Sequence, residues 1–197
     1  MLICFLLSQR NISKFQYRPG SNDEVIVSCC GSEGDIVIPK TVKEITEEVF
    51  GLSGCDKGLT SISFQDDSEI ISIGEACFFG AAIELANLSN CNKLAFLNSS
   101  LFAECPFLET VILPNKISGI GEYCFRSTSS LQSITFPGNI SWIGYNAFYE
   151  SKLISITIQG NLSSIEYPFY GCNSLINITI LGNVNILMKG CFEDVIH

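Results

Sequence analysis

The 197-residue sequence predicts one continuous solenoid: mainly short parallel β-strands with helical or 3-10 turns, wound into about seven coils of 22–25 residues. Three observations predict it. A unit recurs along nearly the whole chain, best seen in LQSITFPGNISWIGYNAFYESK (131–152), LISITIQGNLSSIEYPFYGCNS (153–174) and LINITILGNVNILMKGCFEDVIH (175–197). A repeat of this period marks a stack in which no unit buries its apolar face alone. Every unit carries the same two apolar anchors. And 47% of the residues are apolar against 16% charged, which fills a core and argues against disorder.

Residues 1–32 lack the repeat and are expected to form an irregular N-terminal cap, with the repeat domain over 33–197. The opening MLICFLLSQR has six apolar residues, Leu2 to Leu7, and no basic residue before them. A secretory leader takes ~7–15 apolar residues behind a positive region, and a membrane helix ~18–20. The segment is therefore read as the first strand of the cap or the edge of a larger gene product, and no membrane span is expected.

The first anchor is a Leu-x-x-Ile-x-Ile segment: Leu59/Ile62/Phe64, Leu108/Val111/Leu113, Leu131/Ile134/Phe136, Leu153/Ile156/Ile158 and Leu175/Ile178/Ile180. Ile83/Ala86/Leu88 is a weaker copy and Ile36/Ile38 a partial one. Period-two alternation rich in Ile and Thr reads as a strand with one buried face. The second anchor is an apolar residue five before a Phe: Ile45/Phe50, Ile73/Phe78, Leu97/Phe102, Ile120/Phe125, Ile143/Phe148 and Leu187/Phe192, with Ile165/Phe169 one residue short. Between the anchors lies a turn, marked by Pro39, Pro114 and Pro137 or by Gly-Asn at 138–139, 160–161 and 182–183. These glycines are expected to supply a positive φ. From Leu59 the first anchor recurs after 24, 25, 23, 22 and 22 residues, and GLSGCDKG (51–58) swells the first coil. Such spacing stacks strands in register ~4.8 Å apart and places the Phe column as a buried spine on the opposite side.

These residues fit Leu-x-x-Ile-x-Ile-Pro-x-x-Val-x-x-Ile-Gly-x-x-Ala-Phe-x-x-Cys, best in FPGNISWIGYNAF (136–148) and IPKTVKEITEEVF (38–50), with Tyr170-Gly171-Cys172 ending a copy. The pattern resembles the BspA-like, or Treponema pallidum-type, leucine-rich repeat over about residues 33–197. The third copy, ANLSNCNKLAFLNSSLF, departs from it by lacking the Ile-Gly pair, and the sixth is shortened. The resemblance implies a leucine-rich-repeat solenoid and a non-enzymatic recognition module, found at the surfaces of bacteria and some parasitic protists in association with adhesion. It therefore implies a cell-surface or secreted protein. An intracellular, cytoplasmic scaffold for protein–protein interaction stands beside it, as does a fragment of a longer repeat array.

The residues offer little chemistry. With 11 Lys+Arg against 20 Asp+Glu and a net charge of −9, the basic face of a nucleic-acid binder is missing. Of ten cysteines, Cys77, Cys124 and Cys191 immediately precede a spine Phe, and Cys105 and Cys172 follow one by three. Other copies hold Val49, Leu101, Ala147 and Pro168, or Ala81, Thr128 and Ser151, in those slots, so the cysteines read as small packing residues. Cys29, Cys30 and Cys55 lie outside these columns and are the candidates for disulfides. No Cys-x-x-Cys pair and no His cluster suggests zinc. His197, the single histidine, ends the chain, where a catalytic base is rarely held firmly. No phosphate-binding glycine loop occurs. Asp66-Asp67-Ser68-Glu69 reads as a solvated turn, without the spaced ligands of a calcium site. No catalytic residue, cofactor or metal is expected.

The informative surface is the outward row of the strands: Ser61, Ser63, Asn87, Thr110, Ser133, Thr135, Ser155, Thr157, Asn177 and Thr179, with Leu85 and Ile112 among them. Hydroxyls suit any exposed strand. The same face is also the usual recognition surface of solenoids, and an uncharged, hydroxyl-rich one suits a protein or glycan partner. Six Asn-x-Ser/Thr sequons, at Asn11, Asn87, Asn98, Asn139, Asn161 and Asn177, fit a secreted glycoprotein, although a composition rich in these residues yields several by chance. Val195 and Ile196 follow Phe192 without a polar cap, so the last coil is expected to fray or to associate end to end with another molecule.

Overall fold

The computed structural model describes residues 15–29, 33–51, 58–138, 140–165 and 167–183. Leu187 and Phe192 of the seventh coil, the N-terminal segment 1–14, most of the 51–58 insertion, Cys30, Cys55, Cys191, Asn11, Asn139, the uncapped end and His197 lie outside them. The strands are β1 (Phe15–Tyr17), β2 (Val25–Cys29), β3 (Glu33–Ile38), β4 (Glu44–Ile45), β5 (Gly58–Phe64), β6 (Ser72–Ile73), β7 (Leu85–Asn87), β8 (Phe96–Leu97), β9 (Thr110–Ile112), β10 (Gly119–Ile120), β11 (Ser133–Phe136), β12 (Trp142–Ile143), β13 (Ser155–Ile158), β14 (Ser164–Ile165) and β15 (Asn177–Ile180).

Each anchor makes its own row. The Leu-x-x-Ile-x-Ile segments form a longer-strand row, β3-β5-β7-β9 followed by β11-β13-β15, all parallel. The apolar residue four or five before each spine Phe lies in a second row of two-residue strands, β4-β6 and then β8-β10-β12-β14, also parallel, with the five-residue β2 pairing beside β4 at its head. Strand β1 pairs antiparallel with β2 and covers its outer edge. Six spine phenylalanines and seven longer strands are described, so six coils are complete to their Phe and β15 opens a seventh.

The spine is as the repeat predicts. Phe50, Phe78, Phe102, Phe125, Phe148 and Phe169 are fully buried and stack ring on ring, with centroids 5.0, 5.2, 5.6, 5.1 and 5.6 Å apart. Offset stacking adds to the large apolar area each ring removes from water. Ile62, Ile134, Ile156 and their leucine partners fill the coil from the strand side.

The helical or 3-10 turns are not there: among the described residues no helix occurs. The spine Phe sits instead in consecutive tight turns, closed by bonds such as Phe79 N–H to the Ala76 carbonyl and Ala81 N–H to the Phe78 carbonyl. The reason lies in the backbone. The residue two before each Phe (Glu48, Ala76, Ser100, Tyr123, Asn146, Tyr167) has φ between 46 and 56°. The residue two after it (Gly80, Glu104, Ser127, Glu150, Gly171) also lies in the left-handed region. No right-handed helix passes through such alternation. In return the turns bond to each other. N–H groups of Ala76, Phe78 and Gly80 donate to carbonyls of Ser99, Leu101 and Ala103 in the next coil, at 3.1, 3.0 and 2.9 Å, and the pattern repeats in later coils. A third hydrogen-bonded row results.

The Gly-Asn turns also differ from expectation. Gly138, Gly160 and Gly182 do not adopt a positive φ. For Gly160 and Gly182 the role is close approach, since a Cβ on Gly160 would collide with the carbonyl of Gly138, and one on Gly182 with that of Gly160, whereas a Cβ on Gly138 would meet nothing within 4 Å. The Ile-Gly pairs work the same way: a Cβ on Gly121 would lie 2.6 Å from the backbone nitrogen of Ser99. Where the third copy lacks this glycine, Asn98 donates its side-chain amide to the Ile73 carbonyl at 2.7 Å. That bond spans the interval between β6 and β8, where the short-strand row is interrupted.

The strand face as candidate recognition site

Alternation along the longer strands sends one set of side chains inward and leaves the other in solvent. The register sorts the outer set into two columns. One runs Asp35, Ser61, Leu85, Thr110 and, past the row's interruption, Ser133, Ser155, Asn177. The other runs Val37, Ser63, Asn87, Ile112, then Thr135, Thr157, Thr179, with Val37 and Ser63 in register on β3 and β5. All ten residues singled out from the sequence therefore lie on one face, partly or fully exposed. Asp35 and Val37 join them at the N-terminal end. The partial copy Ile36/Ile38 held that signal, because alternation alone puts its two neighbours outward.

The columns differ in how much of their hydrogen-bonding capacity is already used. Ser61 and Thr60 donate to the Asp35 carboxylate at 2.6 and 3.1 Å, which holds that carboxyl below its ordinary range. Ser63 donates to the Ile36 carbonyl at 3.4 Å. The Asn87 side-chain oxygen accepts from the Ser89 N–H and hydroxyl at 3.1 and 2.7 Å, a local turn. In the later coils no such bond engages the Ser133, Thr135, Ser155, Thr157 or Thr179 hydroxyls among the described residues. The threonines of β11, β13 and β15 stand in register beside one another. That half of the face presents a lattice of unspent donors and acceptors.

Between the two halves the row opens. Strand β11 lies next to β9, yet no backbone bond joins them. Elsewhere two N–H groups converge on one carbonyl of the preceding coil. Glu109 and Thr110 reach Glu84 at 2.9 and 3.1 Å, and Ile154 and Ser155 reach Gln132 at 2.7 and 3.1 Å. Gln132 and Ser133 have no such partner on Glu109. A polar cleft of about 480 Å³ occupies the place, lined by Glu109, Thr110, Ser129, Ser130, Gln132 and Ser133. The sequence does not reveal it, since the anchors of these copies keep their spacing.

The remaining candidates for chemistry belong to the scaffold. Cys77, Cys91, Cys105, Cys124 and Cys172 are buried free thiols. Burial raises all five, with Cys91 and Cys105 pushed up to about 12, so thiolate chemistry is suppressed. Cys105 and Cys172 donate to the carbonyls of Phe78 and Phe148 in the preceding coil, at 3.0 and 2.9 Å. Asp66 accepts from the Asn90 amide at 3.0 Å, and Glu69 pairs with Lys93. No cluster of possible metal ligands and no helix long and apolar enough to cross a membrane occurs among the described residues. Of the sequon asparagines, Asn98 uses its amide nitrogen in the fold, and the Asn161 side-chain oxygen accepts from the Asn183 N–H at 2.7 Å.

With this geometry in place, comparison with known proteins gives a consistent result. A family model for the BspA type leucine rich repeat region matches in six copies, over residues 24–109 and 95–196. Among solved structures, the T. pallidum leucine-rich repeat protein is 24% identical and aligns over 91% of this chain and 87% of its own, with a TM-score of 0.70. A leucine-rich repeat protein from Bacteroides ovatus is 17% identical over 93% of this chain and 80% of that one, with a TM-score of 0.38. A leucine rich cell surface protein from Faecalibacterium prausnitzii is 20% identical over 88% and 56%, with a TM-score of 0.35. No curated protein sequence matches the chain.

Proposed function

The chain belongs to the BspA-type leucine-rich repeat family, a recognition fold, and on that premise we propose that it binds a protein or glycan partner, without catalysis, through the outer face of its longer strands. One observation carries this reading. The face between Thr110 and Thr179 combines exposed hydroxyls that lack an internal bond with a cleft whose backbone donors are unpaired across the gap. Unpaired polar groups on rigid strands are prepared to bond a ligand at little entropic cost. Asp35, in the first coil, is the one carboxylate on the two columns as described, and Glu109 lines the cleft, so the partner's contact surface is polar with little negative charge. Residues 1–32 are the cap in this reading and 33–197 the binding domain. The role is surface-antigen-like or adhesin-like, as the family resemblance implies.

A second reading, an intracellular scaffold, is favoured by buried free thiols such as Cys77, Cys105 and Cys124, which suit a reducing compartment. Two experiments on the full chain decide between them. On a printed array of extracellular-matrix proteins and uncharged glycans, saturable binding to at least one member is expected. An epitope-tagged copy should be detected on intact cells. No saturable binding anywhere on the array, with signal confined to permeabilised cells, would overturn the surface reading and leave the scaffold.

A further inference from the structure

The turn column carries a second concave surface that shares no residue with the strand face. Two rows of side chains flank the turns along the coils. Tyr123, Tyr145 and Tyr167 form one, edge to face, with centroids 5.9 and 6.2 Å apart and planes at 82 and 65°. Arg126, Tyr149 and Tyr170 form the other. There the Arg126 guanidinium lies 5.8 Å over the Tyr149 ring, and Tyr149 and Tyr170 stack at 5.8 Å and 11°. Between the rows lies a cleft of about 390 Å³, lined by Tyr145, Asn146, Tyr149, Tyr167 and Tyr170. Tyr145 and Tyr170 remain 42% and 44% exposed. The phenylalanines of the spine close on one another and are fully buried, whereas Tyr145 and Tyr170 line the cleft and keep much of their surface exposed.

Charge decides what this cleft accepts. Aromatic faces carry the negative end of the ring quadrupole and attract cations. Glu150 accepts the Tyr149 hydroxyl and thereby holds that phenol above its ordinary range, and the chain as a whole carries −9. An anionic ligand would meet repulsion here. The protein already demonstrates the preferred chemistry with its own side chain: Arg126, paired with Glu104 at 3.5 Å, stacks on the first ring of the second row.

We propose that the tyrosine cleft is a second binding site, which takes the guanidinium or ammonium head of a basic side chain from a partner polypeptide. Asn146, a buried residue of its lining, directs its amide toward the Tyr123 hydroxyl at 3.5 Å. The site reads charge and needs no feature of the strand face.

The test follows tyrosine ring resonances of the full chain during titration with Ac-(Gly-Arg)3-NH2, Ac-(Gly-Gln)3-NH2 and maltohexaose. Saturable shifts with the arginine peptide alone are expected. Tyr170→Leu should weaken that binding by roughly five- to tenfold, while Tyr170→Phe, which keeps the ring, should stay within about twofold of the unmodified chain. Equal shifts with the glutamine peptide overturn the proposal, as does undiminished binding by Tyr170→Leu. Shifts with maltohexaose in place of the arginine peptide make the cleft a sugar site instead. If Tyr170→Leu fails to fold, the unmodified chain still decides, because its rings either respond to the arginine peptide or do not.

Discussion

At the scale of single residues, the repeat columns divide into those that pack and those that face water. Glycine shows how closely coils approach. Gly138 and Gly160 occupy the same slot in successive coils, but a Cβ on Gly138 meets nothing within 4 Å, whereas one on Gly160 meets the backbone of the coil before it. Backbone cannot move aside as the end of a flexible side chain can. Gly160→Ala should therefore cost about 1–3 kcal/mol, the range of overpacking, and Gly138→Ala about 0.5 kcal/mol or less. Urea unfolding of the two variants checks this; equal midpoints would contradict the close-approach role. The cysteines are packing residues by the same kind of comparison. Cys105, Thr128, Ser151 and Cys172 fill one buried slot, and Cys105, Thr128 and Cys172 each bond a spine carbonyl there.

At the scale of elements, three rows hold the coils together, and their interruptions fall in different places. The short-strand row breaks between β6 and β8, and the longer-strand row between β9 and β11. Across both intervals the turn row continues, through Ala76 to Ser99 in the first case and Tyr123 to Tyr145 and Phe125 to Ala147 in the second. Coils thus stay stacked where a ladder opens, with the Phe spine running behind. Amide exchange should register the opening. Gln132 and Ser133, unpaired toward β9, should exchange on the order of ten- to a hundredfold faster than Ile154 and Ser155, whose N–H groups both reach Gln132. Equal protection at the two pairs would mean that β9 and β11 are laddered after all and that the polar cleft is closed.

At the scale of the whole molecule, the periodic part was legible in the sequence and the aperiodic part was not. Anchor spacing alone located the longer strands and the spine, because burial repeats with the coil. It also identified the outward columns, since alternation has no other reading. The turn conformation is not legible in the sequence because ordinary residues such as Glu48, Ala76 and Tyr123 sit at positive φ, where inter-coil hydrogen bonds override their local preference. The steric role of Gly160 and Gly182 is not legible in their own turns, for the contact that requires them comes from another coil. The polar cleft left no mark, because it arises from a ladder that fails to form between two well-spaced copies. The tyrosine cleft is likewise a product of stacking: Tyr145, Tyr149, Tyr167 and Tyr170 fall in columns that other coils fill with different residues. The central claim is that recognition takes place on the face between Thr110 and Thr179. Its most direct test replaces Ser133, Thr135, Ser155 and Thr157 together by Lys and compares binding to whichever matrix protein or glycan the unmodified chain retains on the array. The four side chains lie on the outer face, Ser133 and Thr135 exposed and Ser155 and Thr157 half-buried, so the melting temperature should hold while binding is lost; unchanged binding with an unchanged melt would move the site off the strands.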